Sequence, residues 1–464
     1  MSHKTVPFNT PAPWWCLLIP LVQGALLALM MPAGTDKWLI SGSFVAISAL
    51  ASWRLFSDGR PYSLNKAWWL FTLVFLGIIP SMQLAANMMP WQSADMPSRL
   101  MLPANGLILL CLGVYEAVRI WASRNFIPQP EQARGPVSPV LIRQFAYFAP
   151  AIMLSCGAAL AIVYGYKGLF SFRHMEAALP DYSTSFRLIF DNVLRGTMLW
   201  CCIAAIILYR QHKLGGSTLL LVLIPGMLFN FPLSLPGYLT LPIYLCWILA
   251  TGFPLFRRQH AFSAVMLAVF LILAPVFGLI RYPGAASPIQ THTDSPGQHF
   301  QQAALVSHYD AWSSMCRAMQ YSSENGTTYG RQLIGVTLFF VPRSVWPAKP
   351  VGSGAFLYSS SPYGFHNRAC TYLAEGFINF GVAGSLVFAA LLALLIARYD
   401  GWYWRRGGRV RFTLPRLFYF VSIGMLFFIL RGDLMSSFAW LTGFALVCTF
   451  WQAIFFWRLK RSEQ

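Results

Sequence analysis

The sequence predicts an all-α polytopic membrane protein with about twelve transmembrane helices and one large, partly helical outer loop. Three observations carry this expectation. Of 464 residues, 56% are hydrophobic and 11% are charged, against about 25% charged in an ordinary soluble domain. Apolar runs recur at the length of a membrane span, about 17–25 residues. Aromatic residues reach 16%, with 17 Trp, which suits a chain that crosses lipid–water boundaries repeatedly.

The first apolar run, 14–31, ends at Met31-Pro32 without a small-residue cleavage pattern. It therefore reads as a first span and not as a signal peptide. Runs at 38–56, 67–86, 101–121, 145–165 and 188–209 follow. The next two, 217–233 and 237–256, form one apolar region broken by Asn230-Phe231-Pro232 and Leu235-Pro236-Gly237. They read as a hairpin or as a pair of re-entrant pieces. Further runs lie at 261–280, 373–397, 414–431 and 434–457. The chain divides into an N-terminal bundle (1–280, about nine spans), a loop (281–372) and C-terminal helices (373–464, about three spans).

The net charge of +19 raises nucleic acid as a partner, but the basic residues fall between apolar runs and form no single patch. Most belong to alternate connections: Lys4; Arg54, Arg60 and Lys66; Arg119, Arg124, Arg134 and Arg143; Arg210 and Lys213; Arg257 and Arg258; then a cluster from Arg398 to Arg416, and Arg458, Lys460 and Arg461. The positive-inside bias places these connections and both termini in the cytoplasm. The 281–372 loop then faces outward. Most of the nine Cys sit inside apolar runs. No C-x-x-C pair or zinc spacing is present, so neither a metal nor another cofactor is expected. Cys316 and Cys370, in the outer loop, are candidates for a disulfide.

Connections in compact proteins run to about 4–6 residues, so the outer loop is where chemistry is expected. Residues 298–320 read as helix from the spacing of Phe300, Ala304, Val306, Trp312 and Met315, and Asn325-Gly326 as a turn. Residues 330–341 are too short to span and suit an interfacial or re-entrant helix ending at Pro342. Trp346 reads as an interface anchor. Basic residues on the outer side are not needed for topology. An Arg fork and a Lys point charge match phosphate oxygens. Arg343 and Lys349, with Arg331, Arg368 and His366 close in sequence, therefore suit a pyrophosphate-bearing head group. Solvated loop charges are the plainer account of each residue taken singly.

Several other charges have local explanations. Arg187 and Arg195 stand eight apart near the outer end of one span, with Asp191 four residues before Arg195, a natural i,i+4 pair. Arg431-Gly432-Asp433 forms a tight outer turn with a possible local pair. Glu116 and Arg119 suit an i,i+3 pair.

His308-Tyr309-Asp310, Tyr329-Gly330, the run Phe340-Val341-Pro342-Arg343-Ser344-Val345-Trp346-Pro347-Ala348-Lys349-Pro350, and Ala374-Glu375-Gly376-Phe377-Ile378-Asn379-Phe380-Gly381-Val382-Ala383-Gly384 together resemble the bacterial O-antigen (Wzy-type) oligosaccharide repeat unit polymerases. That family carries an Ile-Pro-Arg-x-x-Trp-x-x-Lys-Pro signature, then a Glu followed by Asn-Phe-Gly-x-x-Gly. The resemblance is close over residues 300–400. It departs at Val341, where Ile is usual, and at His308, where Arg is common.

The resemblance implies a GT-C-like, metal-independent glycosyltransferase without a cofactor in the bacterial inner membrane. Such an enzyme moves a growing glycan from undecaprenyl diphosphate to a new lipid-linked repeat unit on the periplasmic face. Its partners would be the lipid-linked oligosaccharide and membrane lipid, together with a flippase and a chain-length regulator. The chemistry needs cations on the leaving diphosphate and a base for the acceptor hydroxyl. Arg343 and Lys349, then Arg368 and Arg331, suit the first role. Glu375, His366 and Asp310 are the alternatives for the second, with Arg195, Arg187 and Arg431 as secondary candidates. An O-antigen ligase is the alternative within the same chemistry. A lipid-linked oligosaccharide flippase fits the span number, but neither a long outer loop nor the lack of an internal repeat favours it. A sensor or scaffold is disfavoured by the sparsely charged loop.

Overall fold

The computed structural model describes residues 10–30, 35–90, 98–125, 138–170, 184–281, 305, 309–359, 368–405 and 413–462. Every regular element among them is helical. Among the described residues nine helices are long and apolar enough to cross a membrane: Lys37–Ser57, Leu64–Ala85, Ser98–Asn125, Pro139–Phe170, Phe186–Arg210, Ala261–Ile280, Tyr372–Arg405, Leu414–Arg431 and Leu434–Phe455. Three shorter apolar helices are Trp14–Met30, Gly216–Phe229 and Gly237–Thr251. Each of the twelve expected segments falls on one of these helices. The protein is an all-α, membrane-embedded polytopic chain.

We number the helices used below α1 (Thr35–Ser57), α2 (Leu64–Ala85), α3 (Ser98–Asn125), α4 (Thr184–Arg210), α5 (Ala261–Ile280), α6 (Ala311–Asn325), α7 (Arg331–Thr337), α8 (Ser353–Leu357), α9 (Tyr372–Arg405), α10 (Leu414–Arg431) and α11 (Leu434–Ser462). The chain forms two compact units. One comprises Met1–Pro128, Leu255–Gly407 and Leu426–Ser437; the other comprises Gln129–Pro254, Gly408–Met425 and Phe438–Gln464.

In the first unit, α9 packs along α3. Helix α9 departs from the single span expected at 373–397. Its backbone leaves helical geometry at Phe380 and Gly381, where Gly381 takes a φ of 62°. Glycine reaches that left-handed region without a Cβ penalty. The chain reverses there, so residues 372–379 fold back on the long limb, 382–405. Gly376 and Gly384 meet backbone to backbone: a methyl group on Gly376 would stand 2.6 Å from the Gly384 carbonyl oxygen. Ser385 Oγ donates across the reversal to the Leu373 carbonyl at 2.9 Å. The sequence pattern of continuous apolar residues conceals this hairpin, because both limbs are apolar.

The long limb ends in a buried ionic network. Arg60 bridges Asp58 at 2.5 Å and Asp400 at 3.0 Å. The Asp400 carboxylate also accepts the Leu64 and Asn65 N–H groups, both at 3.0 Å. These are the otherwise unpaired donors at the start of α2. Burial opposes the charge on Asp58, but Arg60, with Lys66 and Asn65, holds its carboxyl below the usual carboxylate range.

The segment from Tyr309 onward is more deeply seated than a surface loop. The helix expected over 298–320 is present only as α6 among the described residues. Its first turn is buried: the Trp312 indole donates to Asn105 Oδ1 of α3 at 2.7 Å and meets Phe44 of α1 edge-on. Before it, the Tyr309 hydroxyl donates to the Phe270 carbonyl. Phe270 lies in a π-helical stretch of α5, and Phe75, in a π-helical stretch of α2, packs against it at 5.3 Å. The expected helix over 330–341 is also shorter: α7 stops at Thr337, and turns fill 338–350.

In the second unit, α4 carries Arg195, which is buried. Its guanidinium pairs with Asp191 at 2.9 Å and donates to the Phe229 carbonyl and Asn230 Oδ1, both at 3.0 Å. Arg195 thereby satisfies the last carbonyl of Gly216–Phe229 at the break before Gly237–Thr251.

Candidate functional site

The segment 338–350 closes on itself through its two cations. Turn hydrogen bonds run from Val345 and Trp346 N–H to the Pro342 carbonyl, at 3.1 and 3.0 Å, and from Lys349 N–H to the Trp346 carbonyl at 3.1 Å. The Arg343 guanidinium donates to the Lys349 carbonyl at 2.6 Å and the Pro350 carbonyl at 3.0 Å. In return Lys349 Nζ donates to the Phe339 and Val341 carbonyls, at 2.5 and 2.9 Å. Prolines at 342, 347 and 350 remove competing N–H donors and restrict the backbone. The two side chains therefore fix the loop's shape.

Carbonyl oxygens orient these cations but do not neutralise them. Among the described residues neither Arg343 nor Lys349 has a carboxylate partner. Burial and the adjacent Arg343 charge hold the Lys349 amine below the usual lysine range. Two like charges held side by side, with N–H groups to spare, are suited to a multivalent anion.

The same unit holds two buried acids. Glu375, fully buried on the short limb of α9, accepts from the Ser353 hydroxyl at 2.7 Å and from the Leu434 N–H at 2.8 Å. Asp310, also buried, accepts from Arg431 Nη2 at 2.8 Å and from the Ala369 N–H at 3.2 Å. The turn Arg431-Gly432-Asp433 is thus gripped at both ends, by Asp310 on Arg431 and by Glu375 on Leu434. The local Arg431–Asp433 pair expected at this turn gives way to this longer-range arrangement. Asp433 instead caps α11, its Oδ1 accepting from the Ser436 N–H at 2.9 Å.

The hairpin of α9 holds these elements in register. Thr371 N–H donates to Ser314 Oγ of α6 at 3.0 Å, and Thr371 Oγ1 to the Leu430 carbonyl at 2.7 Å. At the reversal, Thr328 N–H donates to the Ile378 carbonyl at 2.8 Å, and Thr328 Oγ1 to Asn379 Oδ1 at 3.0 Å. Asn379 Nδ2 donates to the Glu375 carbonyl at 2.8 Å. The Glu-Gly-x-x-Asn-Phe-Gly-x-x-Gly run therefore has a physical role at five of its six fixed positions: acid, two glycines at the close approach, an amide at the limb end and a glycine at the reversal.

The first unit brings together Arg343, Lys349, Glu375, Asp310 and Arg431 through α8 and the 431–434 turn. Arg368 is buried beside them, its guanidinium 4.5 Å from the centre of the Tyr358 ring, and its carbonyl lies against Gly354 of α8. Arg331 is exposed at the first turn of α7; its backbone N–H donates to the Thr328 carbonyl at 3.0 Å, but its side chain does not join this network through a described contact. His366 and His308 lie outside the described residues. Arg195 and Arg187 belong to the second unit. Glu116 pairs with Arg119 at 2.6 Å, as its spacing predicted. Cys316 and Cys370 are buried and unbonded, so the candidate disulfide is absent. No group of His, Cys, Asp and Glu among the described residues is placed to hold a metal ion.

Sequence reasoning did not single out Ser353, Thr328 or the capping role of Asp433. The Asp433-x-x-Ser436 spacing before an apolar run is the signal that marks the last of these. No family model matches the chain, and neither a curated protein nor a solved structure is detectably similar to it.

Proposed function

We propose that this protein is a polysaccharide polymerase of the O-antigen (Wzy) type. It would transfer a growing glycan from undecaprenyl diphosphate to a new lipid-linked repeat unit, at the periplasmic face of a bacterial inner membrane. In this reading all twelve apolar helices belong to a GT-C-like membrane bundle, both termini are cytoplasmic, and residues 281–372 are periplasmic. The observation that carries the proposal is the Arg343–Lys349 pair. Two cations without a carboxylate partner among the described residues are hydrogen-bonded across a Pro-framed segment, in the same unit as two buried carboxylates of a membrane-embedded chain. A leaving diphosphate develops charge that such cations stabilise without a metal. Arg368 and Arg331 are the further cations on the same unit.

The deciding experiment is a deletion strain analysed by glycan ladder. Single repeat units on the lipid acceptor, with no ladder, are expected. Absence of any glycan on the outer face would point to a flippase instead. An Arg343→Ala variant is expected to lose the ladder, and a full ladder from it would remove the diphosphate role of Arg343.

A further inference from the structure

The reaction proposed above needs a carboxylate or imidazole that can reach the acceptor hydroxyl. Glu375 and Asp310 are 0% and 1% exposed, and both oxygens of each already accept hydrogen bonds from protein donors. Asp433 differs. It is half-buried, its Oδ1 is committed to the Ser436 N–H, and its Oδ2 has no donor among the described residues.

The surroundings of Asp433 bring it to the cationic segment. Its carboxylate lies against Gly352, where a methyl group would stand 2.7 Å from Oδ1 and 3.3 Å from Oδ2. Gly352 follows Pro350 by two residues, about 7 Å of chain at most, and the Pro350 carbonyl accepts from Arg343. Gly335 of α7 meets both Met435, two residues after Asp433, and Pro350, at 2.8 and 3.2 Å from a methyl group placed there. One turn earlier on that helix, Gln332 is 2% exposed and its Oε1 has no hydrogen-bond donor. A buried amide oxygen without a partner marks a position for a hydroxyl group or a water.

Glu375 connects these pieces. It binds the residue after Gly352 with one oxygen and the residue after Asp433 with the other. It thereby holds the Asp433 carboxylate over the bare glycine.

We propose that Asp433 is the general base of the glycosyl transfer and that Glu375 is its positioning residue, an inference that rests on the polymerase reading. The acceptor hydroxyl oxygen bonds to the anomeric carbon of the donor as the bond from that carbon to the diphosphate oxygen breaks. The bonding electron pair leaves on the diphosphate, beside Arg343 and Lys349. The hydroxyl proton passes to Asp433 Oδ2 and from there to solvent.

The test uses the full chain in nanodiscs, with lipid-linked repeat units extracted from the deletion strain as substrate. Binding is followed separately with undecaprenyl diphosphate. Asp433→Asn keeps an N-cap side chain, so thermal stability and diphosphate binding are expected to match wild type. Its transfer rate is expected to fall at least about 100-fold, the scale of general-base catalysis, with partial recovery in Asp433→Glu. Glu375→Gln is expected to lower the rate while leaving undecaprenyl diphosphate binding intact. Asp433→Asn at near wild-type rate, or a loss confined to diphosphate binding, would overturn the assignment and leave the polymerase reading standing. No polymer from the wild-type chain would overturn both.

Discussion

Asp310 and Arg431 meet as a 2.8 Å ion pair although 121 positions separate them in the chain. The two ends of the pair are unequal, with side-chain exposures of 2% for Asp310 and 31% for Arg431. Arg431→Ala takes a charged donor from a buried carboxylate that keeps the Ala369 N–H, and removing one member of a buried ion pair costs about 3–5 kcal/mol. Asp310→Asn leaves a guanidinium that reaches solvent and keeps an acceptor for the Ala369 N–H, so about 1 kcal/mol is expected. Thermal unfolding in detergent checks the order, and equal destabilisation by the two variants would contradict it.

Lys349 gives the candidate site a pH dependence. Its amine is held below the usual lysine range by burial and by Arg343. It is charged below its pKa and neutral above it, so affinity for a diphosphate is expected to fall as pH rises, before an ordinary lysine would titrate. Lys349→Arg keeps its charge at every accessible pH and is expected to bind undecaprenyl diphosphate with a flatter alkaline limb. Titrating binding from neutral to alkaline pH for both proteins distinguishes them; superimposable curves would show that Lys349 does not contribute its charge.

The α9 hairpin rests on bare backbone. A methyl group on Gly384 would stand 2.0 Å from the Gly376 carbonyl oxygen, closer than real atoms approach. Gly384→Ala is expected to cost about 3 kcal/mol or more, at the upper end of overpacking changes, and to lower the yield of folded protein. The control is Gly401→Ala, where nothing stands within 4 Å, and size-exclusion profiles compare the two. Equal behaviour would argue against the close approach.

Cys316 and Cys370 should resist alkylation in the folded protein. Both are buried and unbonded. Burial pushes both thiols up, and for Cys370 the nearby Glu375 and Asp433 carboxylates add to it. The thiolate is the reactive form. Peptide mapping after maleimide treatment is expected to show neither modified until denaturant is added. Cys316 and Cys370 left unlabelled in denaturant but labelled after reduction would indicate a disulfide instead.

Run length was enough to place the described apolar helices, nine of them long enough to span a membrane, because such a helix is specified by local composition. The spacing of Glu116 and Arg119 likewise gave a pair that forms within one helix turn. The reversal at Phe380-Gly381 was hidden, since both limbs of α9 are apolar and a run of apolar residues carries no sign of its direction. The Pro-Arg-x-x-Trp-Pro-x-Lys-Pro run announced itself by its residue types. That Arg343 and Lys349 would bind each other's backbone carbonyls was decided by the turns between them. The partners of Asp310 and Glu375 lay beyond local reading. Arg431 and Leu434 reach those carboxylates only because the hairpin, α8 and the 431–434 turn converge. Pairings across 121 and 59 positions depend on how helices pack, a property of the whole unit that no window of sequence contains.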